Sequence, residues 1–302
     1  MTLSLTTDDD TGRDPARPAD PGTPPAPHAD CVSDEAGDIT FTVAVPPAGG
    51  RWETLLLQRR GGDTSADSVH LPLTESPGGG SLTATLPLAL RLAEGRWDAH
   101  VTRGESQRTR LRPGVNDLRT LADDAGRARR TEGAVCLPYT TKYGNLSVRT
   151  WLRWPHAEAG RIHLNEHTGT VEALLLGAEL TEGACLEARA RALDAPALTV
   201  PVTREGSHVT ARLDLAELAG RQAADRDRAE WELWLRPDGA EGRADAVRLA
   251  RILDDVPDKR AVYRYPAVRV ARNRTAAFAY TGAGDLSVEV QGPGERRHGD
   301  RR

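Results

Sequence analysis

The chain has 302 residues, more than one hydrophobic core usually organises, so we expect two domains. Apolar residues make up 38% of the chain and charged residues 28%, with no run of about 18 to 20 apolar residues, which excludes a membrane-spanning helix. The net charge of -4 offers no basic field for nucleic acid or for an anionic membrane. We therefore expect a soluble protein that binds neither.

The N-terminal segment, residues 1 to 35, is acidic and rich in proline and lacks the apolar core of a signal peptide. Such a composition buries too little apolar surface to offset chain entropy, so a disordered tail is predicted, and a second one over residues 292 to 302. Cys31, Cys136 and Cys185 are far apart in sequence and indicate isolated thiols, not a disulfide framework or a zinc site. These features predict a cytoplasmic protein.

Alternating apolar and polar residues dominate the sequence between the tails, and this period is typical of half-buried strands. Seven strands are predicted in the first half, near residues 38 to 45, 52 to 59, 69 to 73, 81 to 88, 96 to 103, 107 to 112 and 145 to 151. Helical patterns are short and fall at Leu88 to Ala93 and at Leu215 to Ala229, with Asp214 as an N-cap. The pattern predicts an all-β protein.

The chain also repeats itself. Tyr139-Thr140 with Gly144-Asn145-Leu146-Ser147-Val148 recurs as Tyr280-Thr281 with Gly284-Asp285-Leu286-Ser287-Val288, offset by 140 or 141 residues. Gly95 to Asp98 matches Ala229 to Glu232, and Ser81 to Leu88 matches His208 to Leu215, in the same order. Order preserved over this length predicts two copies of one β-rich unit.

We predict two tandem β-sandwiches of immunoglobulin or fibronectin type III character, over residues 36 to 152 and 160 to 291. Trp97 and Trp231 each lie on an alternating strand and are expected to fill the space between the two sheets of their copy. In the repeated element, Asn145 or Asp285 is expected to make a left-handed turn. A second interpretation has Tyr139 and Tyr280 lining a groove that binds sugar or a partner.

For each candidate catalytic or metal-binding motif in the sequence, a structural role is the better interpretation. His163-Leu164-Asn165-Glu166-His167 matches a zinc-protease pattern that requires a helix, but a turn sequence and a strand follow it, so a hairpin is predicted. Ser147 and Ser287 lie in strand patterns as outward serines, and the acidic pairs at 123 to 124 and 254 to 255 follow strands as turn or cap residues. No catalytic, cofactor or metal residue and no cofactor is predicted.

A family resemblance rests on Gly95-Arg96-Trp97-Asp98, Leu118 to Leu121, Tyr139-Thr140, Tyr143 to Arg149 and His156-Ala157-Glu158. These motifs resemble tandem β-sandwich units of high-GC bacteria that accompany glycosyltransferase or CDP-glycerol glycerophosphotransferase-like domains, proteins often named only transferase. The resemblance implies an accessory role in building glycopolymers. This chain departs from the pattern because it carries neither a catalytic domain nor a nucleotide-binding fingerprint.

Two functional hypotheses follow. The first is a non-catalytic interaction or carbohydrate-associated module that works with a glycosyltransferase-type protein or a glycan. The alternative is an enzyme, a transferase or a metal-dependent one, with its site between the domains near Tyr139, His163, Glu166 and His167. A purely structural adaptor is a third possibility.

Overall fold

A computed structural model describes residues 26 to 45, 52 to 104, 107 to 122, 133 to 191, 195 to 222 and 227 to 292. The chain divides into two compact units. Unit 1 comprises residues 1 to 126 and 135 to 151, and unit 2 comprises residues 127 to 134 and 152 to 302. Strands dominate both units, so the predicted all-β class is confirmed.

Unit 1 contains the first eleven strands. They are β1 (His28–Ser33), β2 (Ile39–Ala44), β3 (Thr54–Arg59), β4 (Ser68–Pro72), β5 (Thr74–Glu75), β6 (Ser81–Leu86), β7 (Gly95–Arg103), β8 (Gln107–Arg110), β9 (Arg112–Asp117), β10 (Ala134–Thr140) and β11 (Leu146–Leu152). Short 3-10 turns lie at Ser65–Asp67 and Leu88–Leu90, and helix α1 spans Arg119–Ala122.

The strands of unit 1 form two separate sheets. One has the order β5-β6-β2-β1-β9, in which β1 and β9 run parallel, and the other has the order β10-β11-β7-β3-β4, with β8 paired to β7. Alternate residues are buried, as the period-two pattern predicts. Phe41 in one sheet and Trp97 in the other are both almost completely buried, so the predicted role of Trp97 as a core filler is confirmed.

Unit 2 contains the remaining strands. They are β12 (His156–Asn165), β13 (Thr168–Leu176), β14 (Cys185–Ala190), β15 (Leu198–Glu205), β16 (His208–Asp214), β17 (Arg228–Arg236), β18 (Val247–Ala250), β19 (Val268–Ala271), β20 (Arg274–Tyr280) and β21 (Leu286–Gln291). Two short helices accompany them, α2 (Leu215–Arg221) and α3 (Lys259–Val262).

The strands of unit 2 join in the order β14-β15-β16-β13-β12-β18-β17-β21-β20-β19, and β14 also pairs with β17. The first seven of these strands therefore form a closed ring, a feature that the prediction of separate sheets did not include. Trp231 on β17 is 0% exposed and packs in the core with Leu213, Leu233 and Phe278, so the prediction that it is a core residue is confirmed.

Two sequence boundaries need correction. Strand β1 lies inside the segment predicted to be disordered and pairs with both β2 and β9, because Ala29 and Cys31 alternate with polar residues and are fully buried. The helix predicted from Leu215 ends at Arg221, although Asp214 caps it as expected by accepting from Ala216 N and Glu217 N. The chain before residue 26 and after residue 292 lies outside the described ranges.

Other features agree with expectation. All three cysteines are buried free thiols. Burial raises the pKa of the Cys31 and Cys136 thiols to about 12, so both stay protonated and weakly nucleophilic at neutral pH. Within the described ranges, no helix has the length and apolar character that crossing a bilayer requires.

Candidate functional site

A groove crosses the outward face of β12, β13 and β16 in unit 2 and has a volume of about 390 Å³. Alternate strand residues turn inward to the core, so the opposite set, which includes Glu158, Leu174 and His208, lines the groove. These three residues form one row across the strands, because Glu158 pairs with Leu174 and Leu174 with His208. Glu172 and Thr210 form the next row.

A β-bulge shapes the wall of the groove. Ala159 pairs with Ala173 and Ile162 with Val171, so Gly160 and Arg161 together oppose the single residue Glu172. A bulge bends its strand and redirects the neighbouring side chains. A side chain at Gly160 would place its Cβ 3.2 Å from the Glu172 carbonyl oxygen, so glycine keeps this part of the groove open.

The Glu158 carboxylate is fixed in the groove by three partners. It accepts hydrogen bonds from Ile252 N at 2.9 Å and from Leu253 N at 3.2 Å, and His156 Nε2 lies 2.8 Å from its Oε2. His156 is almost completely buried and Glu158 has a side-chain exposure of 14%. A carboxylate held this firmly presents its remaining lone pairs to the groove in one orientation.

Arg251 supplies a positive group beside Glu158. Its Nε donates to Asp254 Oδ2 at 2.7 Å and to Tyr263 Oη at 3.0 Å, and its Nη1 donates to the Ala159 carbonyl at 3.2 Å. Its Nη2 forms no hydrogen bond with the described residues and can donate to a ligand. The groove thus combines a fixed acceptor and a fixed donor with the apolar side chains of Leu174 and Leu176.

A buried ionic cluster holds Arg251 in place. Asp254 is 5% exposed and its carboxylate contacts the Nζ of Lys259, which is 1% exposed. Burial opposes ionisation of Asp254, but Lys259 and the hydrogen bonds hold the pKa of this carboxyl below its usual value. Asp254 was expected to be a turn or cap residue, and it does accept from Val256 N at 3.0 Å, yet its main partners are charged.

An exposed aromatic ring lies beside one end of the groove. Trp154 is 50% exposed, and its ring lies against Gly177, the residue that follows the groove residue Leu176. A Cβ at Gly177 would stand 2.2 Å from Trp154 Cε2, and its φ of +75 also favours glycine. Because Gly177 has no side chain, the Trp154 ring can pack directly against the backbone at this position.

The His163-x-x-Glu166-His167 motif forms the predicted hairpin. His163 lies on β12, Glu166 has a φ of 42 in the turn, and β13 begins at Thr168. His163 Nε2 contacts Glu172 Oε1 at 3.3 Å, and both side chains are well exposed. The helix that a zinc-protease motif needs is absent from this described segment, and no group of three metal-binding side chains occurs among the described residues.

The repeated element adopts one turn in both units. Thr141 N donates to Asn145 O and Asn145 N to the Thr141 hydroxyl, and Thr281 and Asp285 form the same two bonds. The left-handed residue is Gly144 in one copy and Gly284 in the other, with φ values of 70 and 85. The expectation that Asn145 or Asp285 makes this turn is therefore wrong.

These hydrogen bonds fix the offset between the copies at 140, so Thr281 corresponds to Thr141 and the two tyrosines do not correspond. A shift of one residue moves a strand side chain to the opposite face. Tyr280 is a core residue, 3% exposed. Tyr139 is half-buried and lies near Asp98, Arg60 and Arg96.

Ser147 and Ser287 are buried instead of outward and exposed. Ser147 Oγ donates to Asp98 Oδ1 at 2.8 Å, and Ser287 Oγ donates to the Ala279 carbonyl at 3.3 Å. The acidic pair at 123 to 124 lies outside the described ranges. Sequence reasoning missed the groove because it forms only where the β12–β13 hairpin meets β16 and Arg251, which come later in the chain. The signal available in the sequence was Trp154, a large aromatic residue just before β12.

Comparisons with known proteins give weak matches. No family model matches the chain, and no curated protein matches it. A crystal structure of S. aureus TarS shares 14% identity over 62% of this chain and 35% of that chain, with a TM-score of 0.31. The S. aureus TarS 217-571 structure shares 12% identity over 75% of this chain and 62% of that chain, with a TM-score of 0.30. The structure of pullulanase from Anoxybacillus sp. LM18-11 shares 11% identity over 68% of this chain and 24% of that chain, with a TM-score of 0.27. The chain spans about a third of TarS.

Proposed function

We propose that this protein is a non-catalytic carbohydrate-binding module that works beside a glycosyltransferase-type enzyme, and that the unit 2 groove is its sugar site. The observation that carries the proposal is the fixed pair of Glu158 and Arg251 above the apolar residues Leu174 and Leu176. A sugar ring presents hydroxyl groups that both donate and accept, together with apolar C–H faces. Ligand sites combine apolar lining with a few convergent polar groups in this way.

The exposed Trp154 ring extends this chemistry. An aromatic ring offers a flat apolar face at low entropic cost. Its support against Gly177 holds the ring in one place next to Leu176. We expect one sugar to occupy the groove and a neighbouring sugar of the same chain to stack on Trp154.

The polar groups nearby favour binding over catalysis. Asp254, Lys259 and Tyr263 bond to one another or to Arg251, which positions the guanidinium but leaves none of them directed at a substrate. Glu158 lies beside a buried imidazole and two backbone N–H groups. These contacts orient the carboxylate, whose remaining lone pairs can accept hydrogen bonds from sugar hydroxyls.

We further propose that the two units are copies of one sandwich. In unit 1 the order β9-β1-β2-β6-β5 matches β18-β12-β13-β16-β15 in unit 2, with a parallel first pair in each. The order β10-β11-β7-β3-β4 likewise matches β20-β21-β17-β14-β15. Where unit 1 has the two strands β4 and β5, unit 2 has the single strand β15, and where unit 1 has β8 and β9, unit 2 has the single strand β18. Because β15 and β18 each belong to both sheets, the two sheets of unit 2 join into a closed ring.

A screen of immobilised glycans tests the proposal. The full chain should bind at least one glycan saturably, and titration calorimetry should confirm the affinity in solution. Trp154→Ala removes the exposed ring and Leu174→Glu adds a carboxylate beside Glu158 and Glu172. Each should weaken binding at least tenfold. Val262→Ala is the matched control, because Val262 is 57% exposed in the same unit.

Unfolding by urea shows whether each variant keeps its fold. Binding that survives both groove variants would contradict the groove as the sugar site. Failure of the wild-type chain to bind any glycan would contradict the carbohydrate proposal itself and favour a structural adaptor. Turnover of a bound glycan would contradict the non-catalytic role.

A further inference from the structure

The charge of the unit 2 groove narrows the class of sugar that it can bind, an inference that rests on the proposed function. The lining side chains that carry a formal charge at pH 7 are Glu158, Glu172 and Arg251. The ionic cluster behind Arg251 adds Asp254 and Lys259. Three of these five groups are negative and two are positive, so the groove has one negative charge in excess.

Glu172 carries this excess negative charge. Its Oε1 lies 3.3 Å from His163 Nε2, and no arginine or lysine of the described ranges forms an ion pair with it. Arg251, the positive group of the lining, already contacts the Asp254 carboxylate at 2.7 Å. The Glu172 side chain is 43% exposed, so its carboxylate is accessible to a ligand in the groove.

Glu158 and Glu172 lie in diagonal positions on the same face of β12 and β13. Leu174 pairs with Glu158 and follows Glu172 by two residues on β13. Diagonal positions in an antiparallel pair are about 7 to 8 Å apart, a distance that long side chains can span. Gly160 opposes Glu172 in the bulge and also lines the groove. Because Gly160 has no side chain, the space beside Glu172 stays open to a ligand group.

We propose that the groove binds a sugar that carries a free amino group, protonated as an ammonium. Both glutamate carboxylates act as acceptors, and an ammonium group supplies three donors together with a positive charge. Charge-assisted hydrogen bonds of this kind are roughly twice as strong as neutral ones. The ammonium would lie beside Gly160, where the Glu158 and Glu172 carboxylates can both reach it.

Other classes of sugar fit this groove less well. N-acetylation removes the positive charge of the amino group and leaves one N–H donor in place of three, and a neutral sugar offers hydroxyl groups alone. A sugar acid would bring its carboxylate toward Glu158 and Glu172, and like charges disfavour binding. Arg251 Nη2 can still donate to a hydroxyl of the amino sugar, so the sugar ring keeps the partner that the proposed function gives it.

Titration calorimetry with the full chain at pH 6.5 tests the proposal. The probes are tetramers of glucosamine, N-acetylglucosamine, glucose and galacturonic acid. The glucosamine tetramer should bind saturably and at least tenfold more tightly than the N-acetylated and glucose tetramers, and the galacturonic acid tetramer should bind most weakly. Spermidine carries ammonium groups without a sugar ring and should bind at least tenfold more weakly than the glucosamine tetramer.

Three variants separate the role of the charge from that of the groove as a whole. Glu172→Gln keeps the size of the side chain and should weaken binding of the glucosamine tetramer at least tenfold, while binding of the other tetramers changes by less than twofold. Glu241→Gln is the matched control, because it removes the same charge from an exposed residue between β17 and β18, and it should change nothing. Trp154→Ala removes stacking and should weaken all tetramers alike. Urea unfolding checks the fold of each variant.

Failure of this inference and failure of the proposed function give different results. Binding of the glucose or N-acetylated tetramer as tight as that of the glucosamine tetramer would overturn the amino-sugar inference and leave the carbohydrate site standing. If no tetramer binds, the inference also fails, whereas the glycan screen decides the proposed function. Equal weakening by Glu172→Gln and Glu241→Gln, equal loss of all tetramers in Glu172→Gln, or binding of spermidine as tight as that of the glucosamine tetramer would each overturn the inference.

Discussion

Replacement of Asp254 by alanine should destabilise unit 2 far more than replacement of its partner Lys259 by methionine. Asp254→Ala leaves the buried ammonium of Lys259 without its counter-ion and removes bonds from Arg251, Tyr263 and Val256 N. Breaking a buried pair in this way costs about 3 to 5 kcal/mol. Lys259→Met leaves Asp254 with its other three donors, so we expect a cost of about 1 to 2 kcal/mol.

Urea unfolding at pH 7, followed by tryptophan fluorescence, measures both effects. With a slope of roughly 2 kcal/mol per molar urea, Asp254→Ala should lower the midpoint of the unit 2 transition by about 2 M and Lys259→Met by less than about 1 M. The pKa of Asp254 is depressed in the folded chain, so its stabilisation is present above the unfolded value of 3.8 and is lost as the pH falls through the folded value. Equal costs for the two variants, or a larger cost for Lys259→Met, would refute this reasoning.

Three other predictions concern the core, a histidine and the aromatic support. Trp231→Ala should cost about 3 to 5 kcal/mol in urea unfolding because the side chain is 0% exposed; a cost under about 1 kcal/mol would contradict its core role. His100 should titrate near pH 4 by NMR, and the wild type should gain stability from about pH 4 to 6.5, where the unfolded chain binds the extra proton; a His100→Gln variant with the same pH profile would contradict this. Gly177→Ala should cost roughly 1 to 2 kcal/mol from its positive φ and shift the emission of Trp154, and unchanged emission would count against the packing of this ring on Gly177.

Much of the fold could be predicted because period-two burial is a local property of the sequence. Six of the seven strand positions predicted in the first half correspond to β2, β3, β4, β6, β7 and β11, and the seventh includes β8 and the start of β9. Trp97 and Trp231 were predicted to be buried because large apolar residues on alternating strands have few other places to pack. Strand β1 was missed because its proline-rich context outweighed a short alternating pattern.

The closed ring and the candidate sites could not be predicted, because they depend on which strands become neighbours. Glu158 and Arg251 are 93 residues apart in sequence and meet only because β12 pairs in parallel with β18. The two tyrosines illustrate a different limit. The alignment of the two repeated elements by sequence similarity paired Tyr139 with Tyr280. The turn hydrogen bonds show that the two tyrosines are one residue out of register and therefore on opposite faces of their strands.

Chemical-shift mapping shows directly whether the groove of unit 2 is the sugar site. Backbone NMR spectra of the full chain should be recorded with increasing amounts of the glycan that binds best in the screen. We expect shift changes concentrated at Glu158, Leu174, Thr210 and Arg251 and in the indole of Trp154. Saturable binding whose shift changes lie outside β12, β13, β16 and the Trp154 ring would contradict it.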